Sequence, residues 1–212
     1  MNGLSAVGFV ENKKAWVPAF AGMSGFGIAL ALALACTPAS ADPAGDVMAA
    51  LNAARTDPAG FAQRLAAEAA ARDDGDAGER DDVAEAIAFL RRQPPLPPLA
   101  RSAALEVVAA GYVAQQGPTG RVGHVGPDGS TPLDRITRAG LDLRAGGEDI
   151  SYGERSPAEA VSQLIIDSGV PDRGHRRNIF DPDFVMAGAA CGRHQVYRVM
   201  CVIDFGGTPR PR

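Results

Sequence analysis

Two runs near the C-terminus decide the fold: Phe184-Val-Met-Ala-Gly-Ala-Ala-Cys-Gly192 and Tyr197-Arg-Val-Met-Cys-Val-Ile-Asp-Phe205, separated by Arg193-His-Gln195. Both are β-rich and the break between them is polar, which is the signal of a β-hairpin. With side chains alternating across a strand, Val199, Cys201, Ile203 and Phe205 share one face of the second run, and Val185, Ala187, Ala189 and Cys191 share one face of the first. Small residues on that face let a helix pack closely. Upstream the chain reads with helical period. Helices first and strands last give an α+β class, with helices packed on an antiparallel sheet.

The helical part is punctuated by caps. Asp46 is positioned to cap a helix through about Arg55, and Asp57-Pro58 opens a second with proline at its first position. From Arg72 to Asp82 the chain is acidic and contains glycine; without an EF-hand register it reads as a solvated insertion that ends by capping the next helix, Val83 to Arg92. Pro94-Pro-Leu-Pro-Pro98 stops that helix and forms a stiff extended connector. Ser102 caps a helix ending at Gly117, with Leu105, Val108 and Tyr112 facing inward. A loop rich in Gly and Pro then carries His124, and Thr131-Pro132 starts a short helix that stops at Gly140. Ser156-Pro-Ala-Glu159 is a capping box for a helix through Asp167.

The first 41 of the 212 residues differ from the rest. Lys13 and Lys14 precede the apolar run Phe26 to Ala35, and Ala39-Ser-Ala41 provides a small-x-small exit before Asp42, the pattern of a secretory signal peptide. The run is too short for a stable membrane span. Two other readings stay open: initiation at Met23, which drops both lysines, and lipid anchoring at Cys36, where Ala33 stands in the usual lipobox leucine position. Cleavage after Ala41 leaves 171 residues: one domain over 42–206 and a polar tail over 207–212. The exported chain is expected in the periplasm or the medium. Its two remaining cysteines, Cys191 and Cys201, favour one disulfide, against the alternative of two thiols in strands.

The net charge of −4 and the 6% aromatic content argue against nucleic-acid binding. Histidine is scarce at three, so each is worth inspecting. His194 sits in the hairpin turn and is expected to be exposed, without a role. His124 in Gly123-His-Val-Gly126 and His175 in Gly174-His-Arg-Arg-Asn178 stand in glycine-flanked positions, as does Glu148 in Gly146-Gly-Glu-Asp-Ile150; Asp167 ends a helix. Neutral imidazoles suit zinc-like cations, and carboxylates can orient a bound water or accept its proton. The four are far apart in sequence, so spacing alone does not join them. Glu148 could instead cap a loop, Asp167 could bond Arg173 or Arg176, and Arg135 and Arg177 could form scaffold ion pairs.

The stretch from Leu51 to Gly206 resembles the CAP superfamily, also called the SCP or cysteine-rich secretory, antigen 5 and pathogenesis-related-1 family, in its bacterial form. The resemblance rests on Leu51-Asn-Ala-Ala-Arg55; on Gly123-His124 followed by Asp128-Gly-Ser130 and Asp134-Arg-Ile136; on Gly147-Glu-Asp-Ile150; on Gly174-His-Arg-Arg-Asn-Ile179; and on the closing strand Tyr197 to Gly206. It implies a three-layer α-β-α sandwich with a cleft of two histidines and two acids. By resemblance His124 and His175 are the cation ligands, with zinc the foremost divalent ion, and Glu148 is the first acid. In many members the second acid follows a helical Trp by three residues; Leu164 takes the Trp position here, so Asp167 is that acid. The chain departs from the family at Asp149, where Asn is usual, at Asp167, one methylene shorter than Glu, and at the insertion Val170-Pro-Asp-Arg-Gly174.

Three functions are compatible with these residues. One is a secreted, monomeric binding module that takes a divalent cation and a small apolar ligand, lipid or protein. Another is a metal-assisted hydrolase with Glu148 or Asp167 as acid or base. The third is a structural envelope protein with a vestigial cleft. Whether the chain is an enzyme stays open, because fold does not decide function.

Overall fold

The computed structural model describes residues 5–6, 42–71, 77–154 and 156–211. Apart from Ser5 and Ala6, the expected leader over 1–41 lies outside the described residues, and so do Cys36, Asp73, Asp74 and Asp76.

The chain folds first into helices. α1 (Pro43–Thr56) and α2 (Pro58–Ala71) open with the same tetrapeptide, Asp-Pro-Ala-Gly. Asp42 accepts the Gly45 N–H at 2.9 Å and Asp57 accepts the Gly60 N–H at 2.9 Å, each carboxylate satisfying a donor the helix cannot. The cap of α1 is therefore Asp42, and Asp46 lies in its first turn. α3 (Ala77–Arg92) begins six residues earlier than Val83, so Glu79, Asp81 and Asp82 are helical rather than part of a solvated loop. Of these Glu79 lies in the first turn, where an acid faces the positive end of the helix dipole. α4 (Ala103–Gln116) is capped by Ser102, and a 3₁₀ turn follows over Gly117–Thr119. α5 (Pro132–Arg138) carries a full capping box between Thr131 and Asp134, and Ser156 caps α6 (Pro157–Ile166). A last short helix, α7 (Gly174–Ile179), holds the second histidine motif.

The sheet has the described strands β1 (Ser5–Ala6), β2 (Ala100–Arg101), β3 (Ala145–Tyr152), β4 (Met186–His194) and β5 (Arg198–Gly206), in the order β1-β3-β5-β4-β2. Its centre is antiparallel, with β5 between β3 and β4. The two-residue edge strands pair in parallel, β1 with β3 and β2 with β4, which makes the sheet mixed rather than purely antiparallel. In β4 and β5 the expected faces hold: Ala187 lies opposite Phe205, Ala189 opposite Ile203 and Cys191 opposite Cys201. The two cysteines are bridged, with Cα atoms 4.1 Å apart.

Helices cover both faces, giving the three-layer sandwich. Val47, Leu51, Leu90, Leu164, Ile165 and Ile179 pack on the face of Ala187, Ala189, Ile203 and Phe205. Tyr112 and Ala109 of α4 pack on the other, against Ile150, Tyr152, Met200 and Val202. On this second face a Cβ on Gly188 would stand 2.2 Å from the Glu106 backbone nitrogen, so only glycine lets α4 sit so near β4. Arg55 is fully buried and bonds only carbonyl oxygens, those of Pro97, Ile179, Asp181 and Phe184. It ties α1 to the proline connector and to the segment after α7. Among the described residues no helix is long and apolar enough to cross a membrane.

Candidate functional site

Successive side chains of β3 point to opposite faces of the sheet. Glu148 therefore turns toward α5 and Asp149 toward α7. Around this strand the structure assembles all four residues singled out by sequence, as two histidine–carboxylate pairs. His124 Nδ1 lies 2.8 Å from Glu148 Oε1, and His175 Nδ1 lies 2.6 Å from Asp167 Oδ1. The two imidazole centroids are 6.4 Å apart with planes tilted by 33°.

The first pair is held by the loop before α5. Gly123 adopts φ 101°, a conformation natural to glycine, and three side chains fix it. Tyr112 Oη and Gln116 Nε2 donate to its carbonyl, and its N–H donates to Tyr152 Oη at 3.1 Å. Arg135 closes the arrangement. Its guanidinium donates to the His124 and Ser130 carbonyls and to Glu148 Oε2 at 2.5 Å, and it stacks on Tyr112 with Cζ 3.7 Å from the ring centroid. The expected scaffold ion pair of Arg135 is thus made with the site itself, whereas Arg177 pairs with exposed Asp172.

The second pair is built by an unusual turn. α6 ends at Asp167 in the left-handed conformation, φ 55°, and α7 is entered through Arg173, φ 50°. Such conformations cost a non-glycine residue on the order of 1 kcal/mol each. In return Asp167 turns back on α7: Oδ2 accepts the His175 backbone N–H at 2.9 Å while Oδ1 meets its ring. Arg173 bonds the Asp167 carbonyl and not its carboxylate. Leu164, which the family resemblance sets at a Trp position, is buried in the core.

Two buried acids missing from the sequence-derived set adjoin the site. Asp204 of β5 is directly opposite Glu148, and neither of its carboxylate oxygens has a hydrogen-bond partner. Burial, then repulsion from Glu148, pushes its pKa well above the ordinary carboxylate value, against the attraction of Arg135. Asp149 accepts from Asn178 Nδ2 at 2.7 Å, and burial pushes its pKa up to about 7. Burial also raises the Tyr152 phenol to about 12. An acid inside an otherwise apolar β-run, as Asp204 is within 199–205, was the signal available in the sequence. For His194 the expectation of exposure is corrected. It is 1% exposed, its Nδ1 accepts the Val196 and Tyr197 N–H groups, its Nε2 bonds the Arg121 carbonyl, and it packs against Tyr152 and Tyr197. A turn histidine became a core residue because its ring caps the turn that contains it.

The arrangement constrains proton positions. An ionised carboxylate only accepts, so the Nδ1 atom facing it carries the hydrogen and the lone pair of a neutral ring falls on Nε2. All four oxygens of Glu148 and Asp167 accept hydrogen bonds within the protein. Among the described residues no group of three or more His, Cys, Asp or Glu is placed to hold a metal ion. Two imidazoles, each with Nδ1 facing a carboxylate, are the site residues that could hold a cation.

The chain is similar to known proteins of one kind. It is 29% identical over 65 residues to YkwD of Bacillus subtilis, covering 31% of this chain and 23% of that protein. An extracellular protein of Bacillus anthracis that contains an SCP domain superposes with a TM-score of 0.47 at 22% identity, over 61% of this chain and 40% of the other. An outer surface protein of Borrelia burgdorferi superposes with a TM-score of 0.44 at 22% identity, over 53% of this chain and 79% of the other. The chain thus spans well under two thirds of the length of the first two. The family described as CAP, the cysteine-rich secretory protein family, matches residues 48–205. With that match running from α1 to the last strand, the chain belongs to the CAP family.

Proposed function

We propose that the domain is an exported binding module whose cleft takes one divalent cation, zinc foremost, between His124 and His175. One observation carries this: each ring has Nδ1 engaged by a carboxylate, the arrangement that orients imidazoles for coordination through Nε2. Water would complete the coordination, since two protein ligands alone make an open site. Glu148 and Asp167 act as orienting groups, because a carboxylate whose two oxygens are both occupied is poorly placed to take a proton from water. This favours binding over metal-assisted hydrolysis. The leader over 1–41 would export the domain as a monomer. Val125, 56% exposed beside His124, gives the rim an apolar point for a small apolar ligand, lipid or protein.

Calorimetric titration with zinc tests the cation. One ion per chain is expected, with about tenfold or greater weakening in His124→Ala and in His175→Ala. No uptake, or equal uptake by both variants, refutes it. Turnover of peptide, ester or glycan substrates that is lost in Glu148→Gln would restore the hydrolase.

A further inference from the structure

The acidic start of α3 does more than face solvent. Asp82 and Glu85, one helical turn apart, reach across to the segment that presents His175. Asp82 Oδ2 accepts the Ser168 hydroxyl at 2.5 Å and the Gly169 N–H at 3.4 Å, while Oδ1 pairs with Arg173. Arg173 in turn donates to the Asp167 carbonyl at 2.7 Å. Glu85 holds Arg176 by two bonds of 2.7 Å each, and Arg176 bonds the Ile165 and Ile166 carbonyls at the end of α6. Arg173 and Arg176 flank His175, so the two carboxylates of α3 grip both sides of the dyad. Within this turn Asp167, Gly169 and Arg173 all have positive φ. Two of the three are not glycine, so the conformation needs outside support, and the bonds to Asp82 fall on Ser168, Gly169 and Arg173, between and upon the strained positions.

We propose that Asp82, seconded by Glu85, is a positioning residue of the Asp167–His175 pair: it clamps the 167–175 turn in the one conformation that brings the Asp167 carboxylate onto the imidazole. The clamp touches neither histidine and acts through Arg173 and Ser168. Its consequence for cation binding rests on the two-imidazole site proposed above. The hydrogen bonds from Ser168 and Arg173 outweigh the effect of burial and hold the Asp82 carboxyl below its ordinary pKa, so the clamp is charged at neutral pH.

The test is imidazole N–H exchange by NMR in the histidine-labelled full chain, together with zinc titration. Asp82→Ala keeps a good helix former in α3. In that variant His175 Nδ1–H should exchange about tenfold faster or broaden away, while the ring protons of His124 and His194 keep their wild-type rates. Zinc affinity should fall about tenfold to a hundredfold, as for loss of other groups that orient a ligand. Ser168→Ala, which removes one bond from the turn side, should shift His175 the same way by a smaller factor, and it serves if Asp82→Ala does not fold. Unchanged His175 exchange in the folded variant overturns the proposal, as does equal loss of protection at all three histidines. Selective loss at His175 in a chain that binds no zinc upholds the clamp and removes the cation reading alone.

Discussion

Glu148 of β3 and Asp204 of β5 are directly paired across the sheet, both fully buried, with Arg135 beside Glu148 as the neutralising cation. Two carboxylates so placed cannot both ionise cheaply, and the pair keeps a proton. Glu148 has Arg135 and His124 as partners, whereas Asp204 has none among the described residues, and burial, then repulsion from Glu148, pushes the Asp204 pKa well above the ordinary carboxylate value.

Asp204→Asn is therefore expected to fold and, at pH 7, to match or exceed the stability of the parent. The sign follows from linkage: the folded protein holds a proton that the unfolded chain releases above about pH 4, so ionisation of the unfolded chain lowers stability as pH rises. The amide does not titrate and removes that slope, by up to about 1.4 kcal/mol per pH unit. Urea denaturation at several pH values checks it; a variant with the parental slope would place the proton elsewhere.

Asp149→Asn introduces the residue that the family resemblance implies, at a position where burial pushes the acid up to about pKa 7. In the parent, stability should fall as pH rises from about 4 to about 7 and then level off at the lowered value as far as this group is concerned, since the folded and unfolded chains differ in bound protons at this acid only between its unfolded and folded pKa values. The variant should be flatter over that window and more stable at pH 7. Its amide oxygen can still accept from Asn178. Thermal melts across pH 4 to 8 would reveal an unchanged profile if the expectation fails.

Arg55→Ala should destabilise the domain by on the order of 3 kcal/mol or more, because the buried carbonyls of Ile179 and Phe184 lose their donor. Arg55→Lys should recover only part, as a single ammonium cannot serve carbonyls spread over 97, 179, 181 and 184. Urea midpoints of the two variants give the order; a lysine variant equal to the parent would refute the fork geometry.

Reducing the Cys191–Cys201 bridge should cost about 2–3 kcal/mol, the range for a closed loop of this small size. The cysteines are already neighbours in the β4–β5 register, so the reduced domain should still fold at moderate temperature. Denaturation with and without reductant measures the difference, and a thiol count on denatured, unreduced protein should find neither cysteine free.

The parts of the molecule legible in sequence are those whose cause is local. The alternation in 184–205 and the caps at Asp57, Ser102, Thr131 and Ser156 depend on residues within a few positions of one another. The cap at Asp42 had the same Asp-Pro-Ala-Gly signature as Asp57 and was hidden only because it adjoins the expected cleavage point. His124, Glu148 and His175 were visible through their glycine-flanked motifs and Asp167 through its place at a helix end, and the family resemblance joined the four into one expected cleft. β3 was not visible as a strand. Gly146, Gly147, Glu148 and Asp149 show no alternation, since all eight of its residues are buried.

By itself, then, the sequence determined the α+β class and the hairpin and favoured a bridge between its two cysteines, and the family resemblance named the four side chains of the candidate site. Only the tertiary structure decided what those side chains do to one another. It brought Arg135 to Glu148, turned Asp167 back onto His175, buried His194, and made Asp82 a clamp instead of a solvated charge. The physical reason is that capping and alternation are satisfied within a few residues, whereas a buried charge is tolerable only when a partner from a distant segment meets it. Asp82 and Arg173 are 91 positions apart, and nothing near either in the chain announces the other.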